Sequence, residues 1–135
     1  MTNVFTARVH RGGRQRGAVL LVLLLILGVV LLLAVGYLAM VLNWSYSEGE
    51  RAGVLQKFSR KGWVCKTWEG ELAMSISPGI APVIWNFSVR DENVAAQLSQ
   101  VAGKSVALHY EEHKGIPTSC FGETPFYVTA VRVEK

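Results

Sequence analysis

No charged side chain occurs between Arg16 and Glu48, and that absence divides the 135-residue chain in two. Residues 18–42 are almost wholly Leu, Val, Ile, Ala, Met, Tyr and Gly. At ~1.5 Å rise per residue such a run makes a helix of ~37 Å, against a hydrocarbon core of ~30 Å. It is long enough to span a bilayer with some tilt. A cleavable signal peptide has an apolar region of only ~7–15 residues, which this run exceeds. A buried core helix is excluded as well, because the short alternating segments that follow cannot surround so large an apolar cylinder.

Acids are missing before the run, where Arg8, Arg11, Arg14 and Arg16 lie; the first charges after it are Glu48, Glu50 and Arg51. The positive-inside rule then places residues 1–17 in the cytoplasm and the C-terminal part outside. The expectation is a single-pass protein of the bacterial cytoplasmic membrane with a periplasmic domain, 48–135, joined by a linker, 43–47. Trp44 and Tyr46 suit the headgroup level on the outer side. No G-x-x-x-G pair occurs among Gly28, Ala34, Gly36 and Ala39, so the span gives a homo-oligomer little support.

Basic excess is missing from the outer part. The net charge of +4 belongs to the four tail arginines, and the remaining ten cations are matched by all ten acids. A nucleic-acid domain is expected to carry a basic footprint. Its absence leads to the expectation of no nucleic acid among the partners, which are the lipid bilayer and a protein or envelope component.

Cysteine is scarce. Cys65 and Cys120 both follow the span, on the side where disulfides persist, and there is no C-x-x-C. A bond between them is expected, with a pair of buried thiols as the alternative. No Ser-His-Asp order, phosphate loop or paired carboxylates in an apolar setting is apparent, which disfavours an enzyme without excluding one. No cofactor is expected.

Beyond residue 47 the periodicity drops to two, the signature of strands. Strands are expected at 51–59, with Ala52, Val54 and Phe58 on one face, at 63–75, 83–90, 105–111 and 126–133. Gly62 supplies a turn, and Gly70 is expected to mark a bulge. In 83–90, Val83, Trp85, Phe87 and Val89 point one way, and Ile84, Asn86, Ser88 and Arg90 the other. Residues 91–102 are the one helical pattern outside the span, with Asp91 as N-cap and Gly103 as terminator. Three strands, a helix and two strands is the order of the OB-fold, a five-stranded partly open barrel. The fold class is therefore mainly β: an N-terminal transmembrane helix, then a small OB-like barrel. A small sandwich or SH3-like barrel would not require the helix.

The segment SEGERAG…KTWEGEL, within 46–72, and PTSCFGET, 117–124, resemble a group of small bacterial single-span proteins, some of which are called 6-phosphogluconate dehydrogenases. The resemblance brings no catalytic residues with it. A dinucleotide domain needs a strand, a G-x-G-x-x-G turn and a helix, and this chain has no such run and too little length for a second domain. The dehydrogenase reading is rejected.

Candidate binding residues gather in two places. His113, Lys114, Thr118, Ser119 and Phe121 lie in the long loop before the last strand, one of the usual ligand-contact loops of the OB-fold. Lys57, Arg60 and Lys61 surround the first hairpin, where they also discourage edge pairing. Trp63, Trp68, Trp85 and Phe87 are expected mostly in the core, the alternative being an exposed stacking platform. His109, Glu111, Glu112 and His113 look metal-like, but on a strand the imidazoles stand roughly 13 Å apart at ~3.3 Å per residue. No metal site is expected.

The function expected is a membrane-anchored, extracytoplasmic binding or assembly module without catalysis. The alternatives are a thiol-redox or metal enzyme using Cys65, Cys120, His109 and His113, and an accessory subunit working through its span.

Overall fold

The computed structural model describes residues 12–74 and 78–135. Arg8 and Arg11 of the tail, and the expected end of the second strand at Ser75, lie outside the described residues. Two compact units form, one up to Tyr37 and one of Leu38–Lys135.

In the first unit lies most of α1, Gly12–Asn43. The helix starts before the expected 18–42, because Gly12 to Arg16 continue it. Its stretch Arg16–Asn43 is long and apolar enough to cross a membrane, with mean hydropathy 3.5. From Arg16 to Tyr37 every side chain is exposed, so among the described residues none covers this apolar surface.

The second unit is a closed barrel, in the order β1-β2-β3-β5-β4. Its elements are β1 Ser47–Lys61, β2 Thr67–Met74, β3 Val83–Val89, α2 Glu92–Gln100, β4 Ser105–Glu112 and β5 Phe126–Val133. This is the OB arrangement, with α2 between β3 and β4. β3 and β5 meet in parallel at Ser88 and Tyr127, and the other pairings are antiparallel.

β1 is longer than the expected 51–59 because it serves two neighbours. Ser47 to Val54 pairs with β4, and Val54 to Lys61 pairs with β2. The change of partner coincides with a bulge at Gln56, between Leu55 and Lys57. One extra residue reverses which side chains face inward. Leu55 and Phe58 therefore point into the barrel, while Ala52 and Val54, expected beside Phe58 in the core, are exposed.

Gly70 is not at a bulge. It stays in register between Phe58 and Phe87, and a Cβ there would lie 2.2 Å from the Phe87 ring. Glycine is needed so that the two rings can approach across β2, where their centroids are 6.5 Å apart.

Leu55, Leu72, Trp85, Phe87, Val106 and Leu108 fill the barrel, and α2 adds Val94, Ala95 and Leu98. Asp91 caps α2, accepting from Asn93 N–H at 2.7 Å. Val83, expected to share the inner face of β3, is exposed at the strand's start.

The last turn of α1 belongs to the barrel unit. An α-helix leaves its final carbonyls without intrahelical partners, and α1 has no basic residue in its last turn. The barrel supplies the donors: Arg90 Nη2 donates to Leu42 O at 3.2 Å, and His113 Nδ1 lies 3.0 Å from Val41 O.

Candidate functional site

Two loops define the site: the β1–β2 loop, 62–66, and the β4–β5 loop, 113–125. Cys65 and Cys120 are bonded, with Cα atoms 4.9 Å apart, so the tip of one loop is fastened to the other. Residues 63–66 were expected to open the second strand. Gly62, at φ 130°, turns the chain first, and the bond to Cys120 draws Cys65 away from any strand partner. Trp63 and Val64 consequently project from the loop almost completely exposed.

The β4–β5 loop is closed at its base, where His113 N–H donates to Pro125 O at 2.8 Å. Gly122 packs against Ser88 and Tyr127 with no room for a Cβ, which would stand 2.7 Å from the Ser88 Cβ. From there the loop folds onto the outer face of β2 and β3. Glu69, only 5% exposed, accepts from Ser88 Oγ at 2.7 Å and from Glu123 N–H at 3.1 Å. Thr124 N–H donates to Ser88 Oγ at 3.1 Å. Every link needs a polar side chain at an outward strand position, which the alternation of KTWEGEL and WNFSV provides.

Two concavities result. Beside the network, Lys57, Lys61, Glu71 and Asn86 line a groove of ≈ 250 Å³. Within the β4–β5 loop is a cavity of ≈ 420 Å³, bordered by His113, Lys114, Thr118, Ser119 and Tyr127 among others.

The candidate residues thus divide. His113, Lys114, Thr118 and Ser119 come together around the loop cavity, while Phe121 is half-buried outside it. The His113 ring is itself engaged: besides Val41 O, its Nε2 lies 3.1 Å from Glu111 Oε2, and its edge meets Tyr127. Lys114 Nζ sits 3.5 Å from the centre of the Tyr46 ring and 3.7 Å from Glu112. Lys57 and Lys61 border the groove, paired to Glu71 at 3.4 Å and Glu123 at 3.0 Å. The hydrogen bond to Glu123 raises the Lys61 pKa above its usual range. Arg60 lies over the Trp68 ring instead.

The aromatic side chains do not form one surface. Trp85 and Phe87 are in the core, Trp68 stacks on Phe58 and donates to Glu92, and Trp63 is fully exposed. His109 pairs on β4 opposite Glu50 and Ala130, apart from the loop that holds His113. Among the described residues no group of three potential ligands gathers to hold a metal.

Several site residues were missed in the sequence. Glu69, Ser88, Glu123 and Thr124 become one network only because the loop folds back on the sheet. Tyr127 had been assigned to the last strand without a role, yet it is 1% exposed at the cavity wall, with Arg90 over its ring at 4.7 Å. Burial raises the pKa of its phenol; Arg90 opposes the shift and Glu69 reinforces it.

The profile of a domain of unknown function, DUF8785, matches residues 44–135. No curated protein shows significant similarity to the chain. Among solved structures, the mitochondrial single-stranded DNA-binding protein Rim1 of S. cerevisiae is similar, with TM-score 0.50 and 11% identity, over 68% of this chain and 97% of that one. The likeness is one of fold and supports the OB assignment. It also corrects the expectation that nucleic acid is excluded as a partner. A single-stranded DNA-binding protein uses this fold, and OB surfaces act through local grooves and stacking, so the formal neutrality of a whole domain does not exclude that class.

Proposed function

We propose that this chain, which belongs to the DUF8785 family, is a membrane-anchored binding module without catalytic activity. In this reading α1 crosses the bacterial cytoplasmic membrane with its N-terminus inside, and the barrel works on the outer face. The arginines before the span and the acids after it favour that orientation. A disulfide in the second unit favours the oxidising side.

The recognition surface is the rim made by the β1–β2 and β4–β5 loops, the pair by which OB-folds contact ligands. The observation that carries this reading is the Cys65–Cys120 bond, which fastens those two loops together and leaves Trp63 and Val64 projecting. An exposed tryptophan on a loop that is already ordered loses little freedom on binding, and tryptophan is enriched among the residues that dominate interface energies.

A photo-crosslinking amino acid placed in intact cells at position 63, and for comparison at the exposed positions 84 and 104, tests it. Adducts concentrated at 63 and lost in Cys65→Ser/Cys120→Ser are expected. Equal yields at the three positions would overturn the assignment of the rim.

A further inference from the structure

The cavity inside the β4–β5 loop has the properties of a small-molecule site distinct from the Trp63 rim. Its volume, ≈ 420 Å³, falls within the range of about 300–1,000 Å³ usual for ligand pockets. Loops with space inside them normally collapse, but this one is held at both ends. The base is closed by the bond from His113 N–H to Pro125 O, and the far side is fixed by Cys65–Cys120. The space is therefore formed before any ligand arrives, which lowers the ordering cost of binding.

The chemistry of the wall is specific. Its charges are already compensated: Lys114 faces Glu112 and Glu123 faces Lys61, while the His113 ring meets the Glu111 carboxylate. Among the described residues that line it, neither an unpaired Lys or Arg nor an unpaired carboxylate is presented to a charged ligand. Hydroxyls remain. Tyr127 is 1% exposed and lines the cavity, yet its hydroxyl has no hydrogen-bond partner among the described residues. Among the described residues the fully buried side-chain polar atom without a partner is Trp85 Nε1, not the Tyr127 hydroxyl, which is reached from the cavity, where a ligand or water completes its bonding. Ser119 lines the cavity at an exposed position, and Thr118 Oγ1, which accepts from Cys120 N–H at 3.3 Å, still has a proton to donate. Ile116, Pro117 and Pro125 contribute apolar surface between them.

We infer that this cavity binds a neutral polyhydroxylated ligand, a sugar unit of a saccharide chain, with the Tyr127, Ser119 and Thr118 hydroxyls bonding its hydroxyls and the Ile116 and proline surfaces meeting its C–H faces. Hydroxyls that both donate and accept match a polyol, whereas an anionic ligand would call for an uncompensated Lys or Arg. This site is independent of the contact assigned to Trp63 and stands if that contact fails.

The test is saturation-transfer NMR on the full chain in a detergent without a sugar headgroup. The probes are N,N′-diacetylchitobiose and maltose, with inorganic phosphate and an oligothymidylate as anionic comparisons. Transfer to a disaccharide, unaffected by added salt, is expected. Tyr127→Phe removes only the hydroxyl and keeps the ring that Arg90 and His113 contact, so about three- to tenfold weaker binding is expected, the loss of one hydrogen bond. Ser119→Ala, at an exposed loop position, gives a second reading if Tyr127→Phe proves unstable. Transfer to neither disaccharide, equal affinity in both variants, or binding of only the anionic probes with strong salt dependence would each overturn the inference.

Discussion

His113 Nδ1 lies 3.0 Å from the carbonyl oxygen of Val41, seventy-two positions earlier in the chain. That contact places a side chain at the start of the β4–β5 loop on one of the carbonyls that α1 cannot satisfy internally. The ring's other nitrogen faces Glu111, so a single buried imidazole joins the helix end, the end of β4 and the loop. His113→Ala removes both contacts of the ring at once. A loss of about 1–3 kcal/mol is expected in urea unfolding of the full chain in detergent. An unchanged midpoint would mean that water takes over both contacts.

Breaking the disulfide has a different signature. The bond closes a loop of 55 residues, for which the chain-entropy treatment gives roughly 4 kcal/mol as a ceiling. Cys65→Ser/Cys120→Ser is expected to lower stability by up to this amount, and reductant is expected to shift the wild-type chain toward the double variant. If reductant has no effect on the wild type, the bond is absent in solution.

Gly70→Ala tests the close approach of Phe58 and Phe87. The added methyl would stand 2.2 Å from the Phe87 ring, and overpacking of this kind costs about 1–3 kcal/mol. Gly28→Ala, whose Cβ meets nothing within 4 Å, is the matched control. Equal thermal midpoints for the two variants would contradict the packing described.

The Tyr127 phenol gives an alkaline prediction. Its folded pKa is raised chiefly by burial, so above the unfolded value of about 10 the unfolded chain binds fewer protons than the native one. The stabilisation is complete below about pH 10 and is lost as pH climbs toward the folded pKa. Lys61 acts in the same sense, since its ammonium is held by Glu123 and its contribution fades as pH rises through its own raised pKa. Urea midpoints between about pH 9 and 11 should fall in the wild type and fall less in Tyr127→Phe. Parallel curves would remove Tyr127 from the alkaline transition.

Trp63→Ala should separate stability from recognition. The side chain is fully exposed, so stability should change by less than about 0.5 kcal/mol, while a photo-crosslinking amino acid placed at the neighbouring position 64 should lose its adducts. A large destabilisation would mean that Trp63 packs somewhere in the folded chain.

The barrel was legible in the sequence because strand alternation, the Asp91 cap and the order of elements are local signals. β3 and β5 begin and end almost where their alternation predicts. The phase of β1 was not legible, because the bulge at Gln56 has no glycine or proline to announce it and follows from a strand that changes partner. Trp63 and Val64 read as strand residues on propensity, and the distant Cys120 decides otherwise. The site was half visible. PTSCFGET marks the loop, but the burial of Glu69 and the unpaired hydroxyl of Tyr127 depend on where the loop comes to rest on β2, β3 and β5, which no local pattern encodes.

The placement of the two sulfurs also bears on how the chain responds to a protease. The covalent ring from Cys65 to Cys120 contains β2, β3, α2 and β4, and leaves only α1, β1 and β5 outside. A single cut at the β2–β3 connection, 75–82, would therefore release nothing without reductant, and both pieces would migrate as one species. The same cut in reduced protein would separate a fragment carrying α1, β1 and β2 from one carrying the rest. Helix α1 thus remains covalently attached to β5 even after the peptide backbone has been severed between them.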